Sequence, residues 1–366
     1  MNPTHDDNNR NQYLTGMPEN DDDQSELVCY ATMNTRFVDG FPGQETSSRP
    51  DPPLVRVGTR IDGNLTLTRE LGSGAFGLVF EASRPGKAMC AVKVFSKHHT
   101  KNSHLRQFRR EMRLSVRLNN NHIVAVYNIG EEDDYAFIEM EQCDGTVGEL
   151  LADPRDARKE EVAWVVFGQM LDGVAYMHSR GVAHRDIKSR NCLYTRASNG
   201  QIRICWADLG LAVTVAKDPL WPVGGTVAYR SPELTAGDQA VYNPFTSDIW
   251  ALGIVLYTMI FGSGPWVEAK ASDPAFSAYM SDRNIIFARM PHLTPEAKDV
   301  VLACLRVCSR ERDDISALSH RFRNVRHLLL PLLPPLPLSS VSHPVDDLSG
   351  SKGMKQKKRR VEKVEE

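Results

Sequence analysis

Asp186, Lys188 and Asn191 lie within the string His184-Arg185-Asp186-Ile187-Lys188-Ser189-Arg190-Asn191, and a second acidic element, Asp208-Leu209-Gly210, follows on the next loop. A carboxylate and an ammonium two residues apart can handle a hydroxyl proton and the charge beside it. An amide and a second carboxylate are hard oxygen donors of the kind magnesium prefers. Upstream stand Gly72-Ser73-Gly74-Ala75-Phe76-Gly77, whose backbone can lie close over phosphates, and one lysine, Lys93, in the apolar run Ala91-Val92-Lys93-Val94. Together these residue types fit phosphoryl transfer from a magnesium nucleotide, a reaction that asks a protein for positioning and charge neutralisation rather than covalent chemistry.

Such residues work only if secondary structure positions them. The run from Leu65 to Leu71 alternates, and with Phe80-Glu81-Ala82 it predicts a β-hairpin whose tip is the glycine-rich stretch. On its own that glycine pattern also marks ordinary hairpin turns. Leu105, Phe108, Met112 and Val116 recur at helical spacing, with Glu111 among them. Arg106, Arg109, Arg110 and Arg113 surround Glu111, so the competing reading is one more solvated charge. Tyr135-Ala136-Phe137-Ile138-Glu139-Met140 predicts another strand, which runs out into Glu141-Gln142-Cys143.

In order and type, these elements resemble the eukaryotic serine/threonine protein kinases from residue 60 to about 330. The resemblance implies an α+β fold of two lobes: an antiparallel β-rich N-lobe at 60–143 and a mainly helical C-lobe at 144–330, in a domain spanning 59–330. It also implies ATP and Mg2+ between the lobes and protein substrates with serine or threonine acceptors. Gly72, Gly74 and Gly77 would cover the phosphates, and Lys93, paired with Glu111, would hold them. Val79 and Ala91 would cover the base, with Met140 as gatekeeper and the backbone of Glu141 and Cys143 bonding the adenine. Asp186 would receive or orient the substrate hydroxyl, Lys188 would face the transferring phosphate, and Asn191 and Asp208 would hold the metal. Gly225-Thr226-Val227-Ala228-Tyr229-Arg230-Ser231-Pro232-Glu233 is similar to the end of a serine/threonine activation segment, with the Thr226 hydroxyl bonded to Asp186 and Lys188. Asp248 would brace the catalytic loop, and Arg312 would pair with Glu233. The run Gly264-Pro265-Trp266, with Ala269, Asp273, Phe276, Ala278 and Tyr279, resembles a fungal branch that includes the negative regulator of sexual conjugation and meiosis. That branch implies a monomer acting in nutrient response or meiosis. Its core motifs are shared with calmodulin-dependent and checkpoint kinases. The alternative class is a kinase-fold scaffold that binds nucleotide without catalysis.

Several positions depart from the family pattern. Leu209 replaces the usual phenylalanine and can fill the same apolar slot. Ser115 stands where an apolar residue is usual; a buried hydroxyl without a partner costs about 1–3 kcal/mol, so the helix bearing Glu111 is expected to dock loosely. Thr214 is the only hydroxyl residue between Gly210 and Thr226, so Arg185 has no mid-loop phosphoacceptor to receive and activity is expected without an upstream kinase. Arg190, in place of a glutamate, argues against strongly basic substrates.

The chain has 366 residues, 41% hydrophobic and 25% charged, enough for one full core with tails. Its net charge of −2 names no partner, but the charge is uneven. Residues 1–53 hold ten Asp or Glu against three Arg, and 352–366 hold seven Lys or Arg against three Glu. Residues 1–58 read as an acidic, polar, disordered tail, with Leu27, Val28, Tyr30, Phe37 and Phe41 as an alternative docking or autoinhibitory segment. Residues 331–366 read as a proline-rich, then basic, tail. Lys355-Gln356-Lys357-Lys358-Arg359-Arg360 has the form of a nuclear-import signal, so cytoplasmic or nuclear location is expected. No reading helix accompanies the run, so nucleic acid is not an expected partner. The seven cysteines show no Cys-x-x-Cys pair and no metal-ligand spacing with histidine, which fits a reducing compartment. The N-terminus does not read as a secretory signal, and the longest apolar stretch, Ile249 to Phe261, is too short to span a bilayer, so no membrane partner is expected.

Overall fold

The computed structural model describes residues 55–74, 77–97, 102–152, 159–218, 224–236, 242–289 and 292–329. Its first half is an antiparallel sheet with one helix. The strands are β1 (Arg60–Ile61), β2 (Leu65–Gly74), β3 (Gly77–Ser83), β4 (Cys90–Ser96), β5 (Val126–Glu131) and β6 (Tyr135–Met140), with α1 (Asn102–Arg117) between β4 and β5. They pair in the order β1-β2-β3-β4-β6-β5.

The period-2 alternation of these strands sorts the sheet into two faces. Phe80, Ala82, Val92, Val94 and Phe137 pack with Leu65 and Leu67 on one face, and Val55 joins them, so ordered packing begins ahead of β1. On the other face Phe95, Ala136 and Ile138 meet Phe108 and Met112 of α1. Lys93 stands opposite Val79 on one side and Ile138 on the other, so it projects from this helix-facing side.

The second half contains β7 (Gly145–Thr146), α2 (Val147–Ala152), α3 (Lys159–Ser179), β8 (Val182–Ala183), β9 (Cys192–Arg196), β10 (Ile202–Trp206) and β11 (Val213–Thr214). It continues with α4 (Pro232–Thr235), α5 (Pro244–Phe261), α6 (Pro274–Ser281), α7 (Pro295–Cys304) and α8 (Ile315–Arg323). The short strands form two small sheets, β10-β9-β7 and β11-β8. Proline opens α5, α6 and α7, where its missing N–H leaves no unmet bond. Asn243, Asp273 and Thr294 cap those helices by accepting their first amides.

This arrangement is the two-lobed α+β fold read from the sequence. One expectation is corrected in detail. α5 starts before the apolar run and reaches 18 residues, long and apolar enough by length and composition to cross a membrane. Most of it is buried inside the lobe, which accounts for its composition without a bilayer. The tails at 1–54 and 330–366, with the import-like run and the proline-rich segment, lie outside the described residues.

Candidate active site

The structure brings Lys93, Glu111 and Asp208 to one point. The Lys93 ammonium donates to Glu111 Oε1 at 2.6 Å and to Asp208 Oδ1 at 2.8 Å. Glu111 is 3% exposed, so it is not a solvated charge on a basic helix. Burial pushes its carboxyl up to about 7, the Asp208 charge adds to the rise, and Lys93 opposes it. Burial alone would lower the Lys93 pKa, but the two carboxylates outweigh it and raise it. Burial likewise works to raise the Asp208 pKa, and Lys93, with His184 and Lys188, brings it below its ordinary value. The Asp208 side chain keeps 40% of its surface, so this end of the cluster faces open space.

α1 is held a second time, by Gln107. Its amide donates to Gly210 O at 2.7 Å, tying the helix to the element after Asp208. Ser115, expected to loosen this helix, is half-buried rather than buried. The Ser115 hydroxyl is thus not enclosed, and in this structure Glu111 and Gln107 both tie the helix to its surroundings.

The catalytic-loop residues converge on the Asp186 carboxylate. Its Oδ1 accepts from the Thr226 amide at 3.0 Å and the Thr226 hydroxyl at 2.9 Å. Its Oδ2 accepts from Lys188 Nζ at 2.6 Å and Asn191 Nδ2 at 2.8 Å. Lys188 Nζ also donates to Thr226 Oγ1 at 2.9 Å. Gly225 makes the approach possible: its φ is +75°, and a Cβ there would meet the Arg185 carbonyl oxygen at 2.8 Å.

Two buried pairs fix the loop. Asp248 accepts from the His184 and Arg185 amides, each at 2.8 Å, and sits 3.0 Å from His178 Nε2. Arg312 meets Glu233 through two bonds of 2.6 and 2.7 Å, and its guanidinium lies 4.9 Å over the Trp250 ring. Arg185 and Asp208 take left-handed backbone, at φ 65° and 58°. Non-glycine residues accept that conformation where surrounding structure holds them.

Asn191 and Asp208 flank the paired strand ends Cys192 and Trp206, and the Ala207 amide donates to Asn191 O at 2.9 Å. The Asn191 amide nitrogen donates to Asp186, which turns its Oδ1 into the available atom, while Lys93 takes Asp208 Oδ1 and leaves Oδ2. Two hard oxygens on adjacent loops fit a magnesium ion.

On the nucleotide side, Gly72 pairs with Val79, and Val79 with Lys93, across β2, β3 and β4. Ala91 stands opposite Met140. Gly74 ends β2, while Ala75 and Phe76 lie outside the described residues. Gly77 has a reason of its own: at φ +138° an added Cβ would sit 2.2 Å from Val94 O. The Glu141 amide donates to Ala125 O at 2.9 Å and its side chain turns to the Ala125 amide and to Arg203, so its backbone carbonyl and the Cys143 backbone remain for a base.

Three relationships were not visible in the sequence reading. Arg185 Nε donates to the Tyr242 hydroxyl at 3.2 Å. Glu141 gathers Arg203, Cys143 and Cys205 behind the segment 141–143 that joins the two lobes, the hinge. Gln107 could have been found, since it lies one helical turn before Glu111. Trp266, Phe276 and Tyr279 form an aromatic cluster with Trp250, with ring centroids 5.0–6.2 Å apart. Asp273 staples that cluster through the Val267, Glu268, Ala275 and Phe276 amides.

The sequence is similar to those of known proteins. The family described as "Protein kinase domain" matches residues 65–322. Serine/threonine-protein kinase ksp1 of Schizosaccharomyces pombe is 34% identical over 190 residues, covering 50% of this chain and 40% of that protein. Testis-specific serine/threonine-protein kinase 4 of Homo sapiens is 28% identical over 265 residues, covering 66% and 77%. Serine/threonine-protein kinase chk1 of S. pombe is 33% identical over 224 residues, covering 58% and 43%. The chain thus spans less than half of either S. pombe relative. By its family match over more than half its length, and by these relatives, the chain belongs to the protein kinase family, in its serine/threonine class.

Proposed function

We propose that this chain transfers the γ-phosphate of Mg-ATP to serine and threonine hydroxyls of protein substrates. The observation that carries the proposal is the joint engagement of the Thr226 hydroxyl by Asp186 and Lys188. An incoming substrate hydroxyl can replace Thr226 as the group presented to Asp186 Oδ1. Asp186 then orients that hydroxyl and receives its proton as the bond to phosphorus forms. Lys188 offers its positive charge to the transferring oxygens. Lys93, kept charged and aimed by Glu111, holds the α- and β-phosphates. Magnesium, held by Asn191 and Asp208 side-chain oxygens, would neutralise phosphate charge. The glycine loop covers the phosphates, Val79 and Ala91 enclose the base, and the Glu141 carbonyl and Cys143 amide bond its edge.

For biological setting we propose control of nutrient response or meiosis. The spacing of Trp266, Ala269, Asp273, Phe276 and Tyr279 supports it, as does similarity to a fungal kinase. The basic run at 355–360 supports nuclear as well as cytoplasmic location, and the resemblance to that fungal branch supports a monomer.

An arrayed set of serine, threonine and tyrosine peptides with labelled ATP tests the reaction. Phosphoserine and phosphothreonine products are expected. Label on tyrosine alone would overturn the proposal.

A further inference from the structure

A thiol cluster lies directly behind the hinge. Cys143 Sγ, Cys205 Sγ and a Glu141 carboxylate oxygen all fall within 4.8 Å of one another. Cys205 Sγ donates to Glu141 Oε1 at 3.8 Å. Cys205 is buried in β10, while Cys143 is only half-buried and so can be reached by a small molecule. The same donors could be taken for a cation site, but Glu141 already meets the Arg203 guanidinium and the Ala125 amide. Its charge is spent there, and what the cluster offers is thiol chemistry.

We propose that Cys143 and Cys205 are a modification site: a dithiol that hydroperoxides oxidise to a disulfide, linking the hinge to the strand that leads into Asp208. The two sulfurs have unequal roles. Interaction with Cys205 lowers the Cys143 pKa, with Thr195 and Arg203 adding to it against burial and Glu141, whereas the Cys205 pKa is raised. Cys143, half-buried where Cys205 is fully buried, is the sulfur a peroxide reaches, and its thiolate is the attacking one. It attacks one peroxide oxygen, the O–O bond breaks, and the leaving oxygen takes a proton, giving Cys143 sulfenic acid and water or an alcohol. The Cys205 sulfur then attacks the Cys143 sulfur, and the S–O bond breaks. The departing hydroxide leaves as water with the Cys205 proton. Two electrons pass from the thiols to the peroxide. Cys205 stands three residues before Asp208, and the Cys143 amide belongs to the segment read as the adenine contact. The bond therefore pulls on both ends of the nucleotide site. This effect on nucleotide rests on that reading, whereas the disulfide does not.

The test treats the full chain with hydrogen peroxide, digests it without reduction and measures peptide masses, with ADP affinity followed in parallel. The expected result is a Cys143–Cys205 cross-linked peptide lacking two hydrogens, a loss of ADP affinity, and reversal of both by dithiothreitol. Cys205→Ala, or Cys205→Val if alanine leaves too large a cavity, should keep its basal activity. After peroxide it should stop at a Cys143 sulfenic acid that dimedone traps. If Cys143 stays reduced at doses that oxidise the exposed Cys308, or pairs with Cys192 instead, the proposal is overturned. A Cys143–Cys205 cross-link with unaltered ADP affinity would keep the dithiol and overturn the adenine contact.

Discussion

Lys93 Nζ and Glu111 Oε1 lie 2.6 Å apart, joining the centre of the sheet to the helix packed on it. Both side chains are nearly fully buried, so the Glu111 charge depends on Lys93, which Asp208 also engages. Gln107 adds a hydrogen bond from the same face of α1 to Gly210. The helix is thus held both at Lys93 and at the loop that follows Asp208.

The pair predicts a pH-dependent stability. Glu111 titrates near 4.5 when unfolded and near 7 in the fold, so between those values the folded state binds more protons. Stability from this group is greatest below about 4.5 and is lost as pH rises through about 7. The unfolding free energy of wild type minus that of Glu111→Gln should fall over this window and level off above it. A difference that rose with pH would show the opposite shift.

Arg312 should matter more than its surface counterparts. It is fully buried and bidentate with Glu233, and removing one partner of such a pair costs about 3–5 kcal/mol. Arg312→Ala should lose about that much in denaturant unfolding. Arg321, partly exposed between Asp299 and Asp313, should lose about 0–1 kcal/mol when changed to alanine.

The glycines of the loop should separate by cause. Gly77→Ala places a methyl against Val94 O and should lower the melting temperature. Gly72→Ala meets nothing within 4 Å, so any loss there should be in ATP affinity and not in stability.

Arg185, bonded to Tyr242, gives the catalytic loop an anchor that needs no phosphate. Protein made in bacteria should be active as purified and should keep its activity after phosphatase treatment. Abolition by phosphatase would refute this.

The legible parts of the molecule were those written in short-range pattern. The resemblance assigned Val79, Ala91 and Lys93 to the nucleotide side, and strand pairing puts them on one face of the sheet; helical spacing put Glu111 among the packed residues of α1. Asp186, Asn191 and Asp208 could be picked out because loop chemistry ties residue type to position. What escaped the sequence was decided by tertiary distance. Tyr242 reaches Arg185, and Cys205 reaches Glu141 and Cys143, across long intervals of chain with no local signal. Ser115 was misjudged because burial at a helix edge depends on what covers it. Gly77 was read as a phosphate cover, yet its tightest constraint is the neighbouring strand's carbonyl.

The proposed phosphoryl transfer rests on Asp186 and Lys93. It is tested most directly by labelled-phosphate transfer from Mg-ATP to a serine peptide, with nucleotide binding measured on the same samples. Wild type should transfer phosphate; Asp186→Asn should bind ATP normally and transfer almost none; Lys93→Met should lose transfer through phosphate positioning. Wild-type protein that binds ATP tightly but transfers no more than Asp186→Asn would contradict the account and favour a nucleotide-binding scaffold.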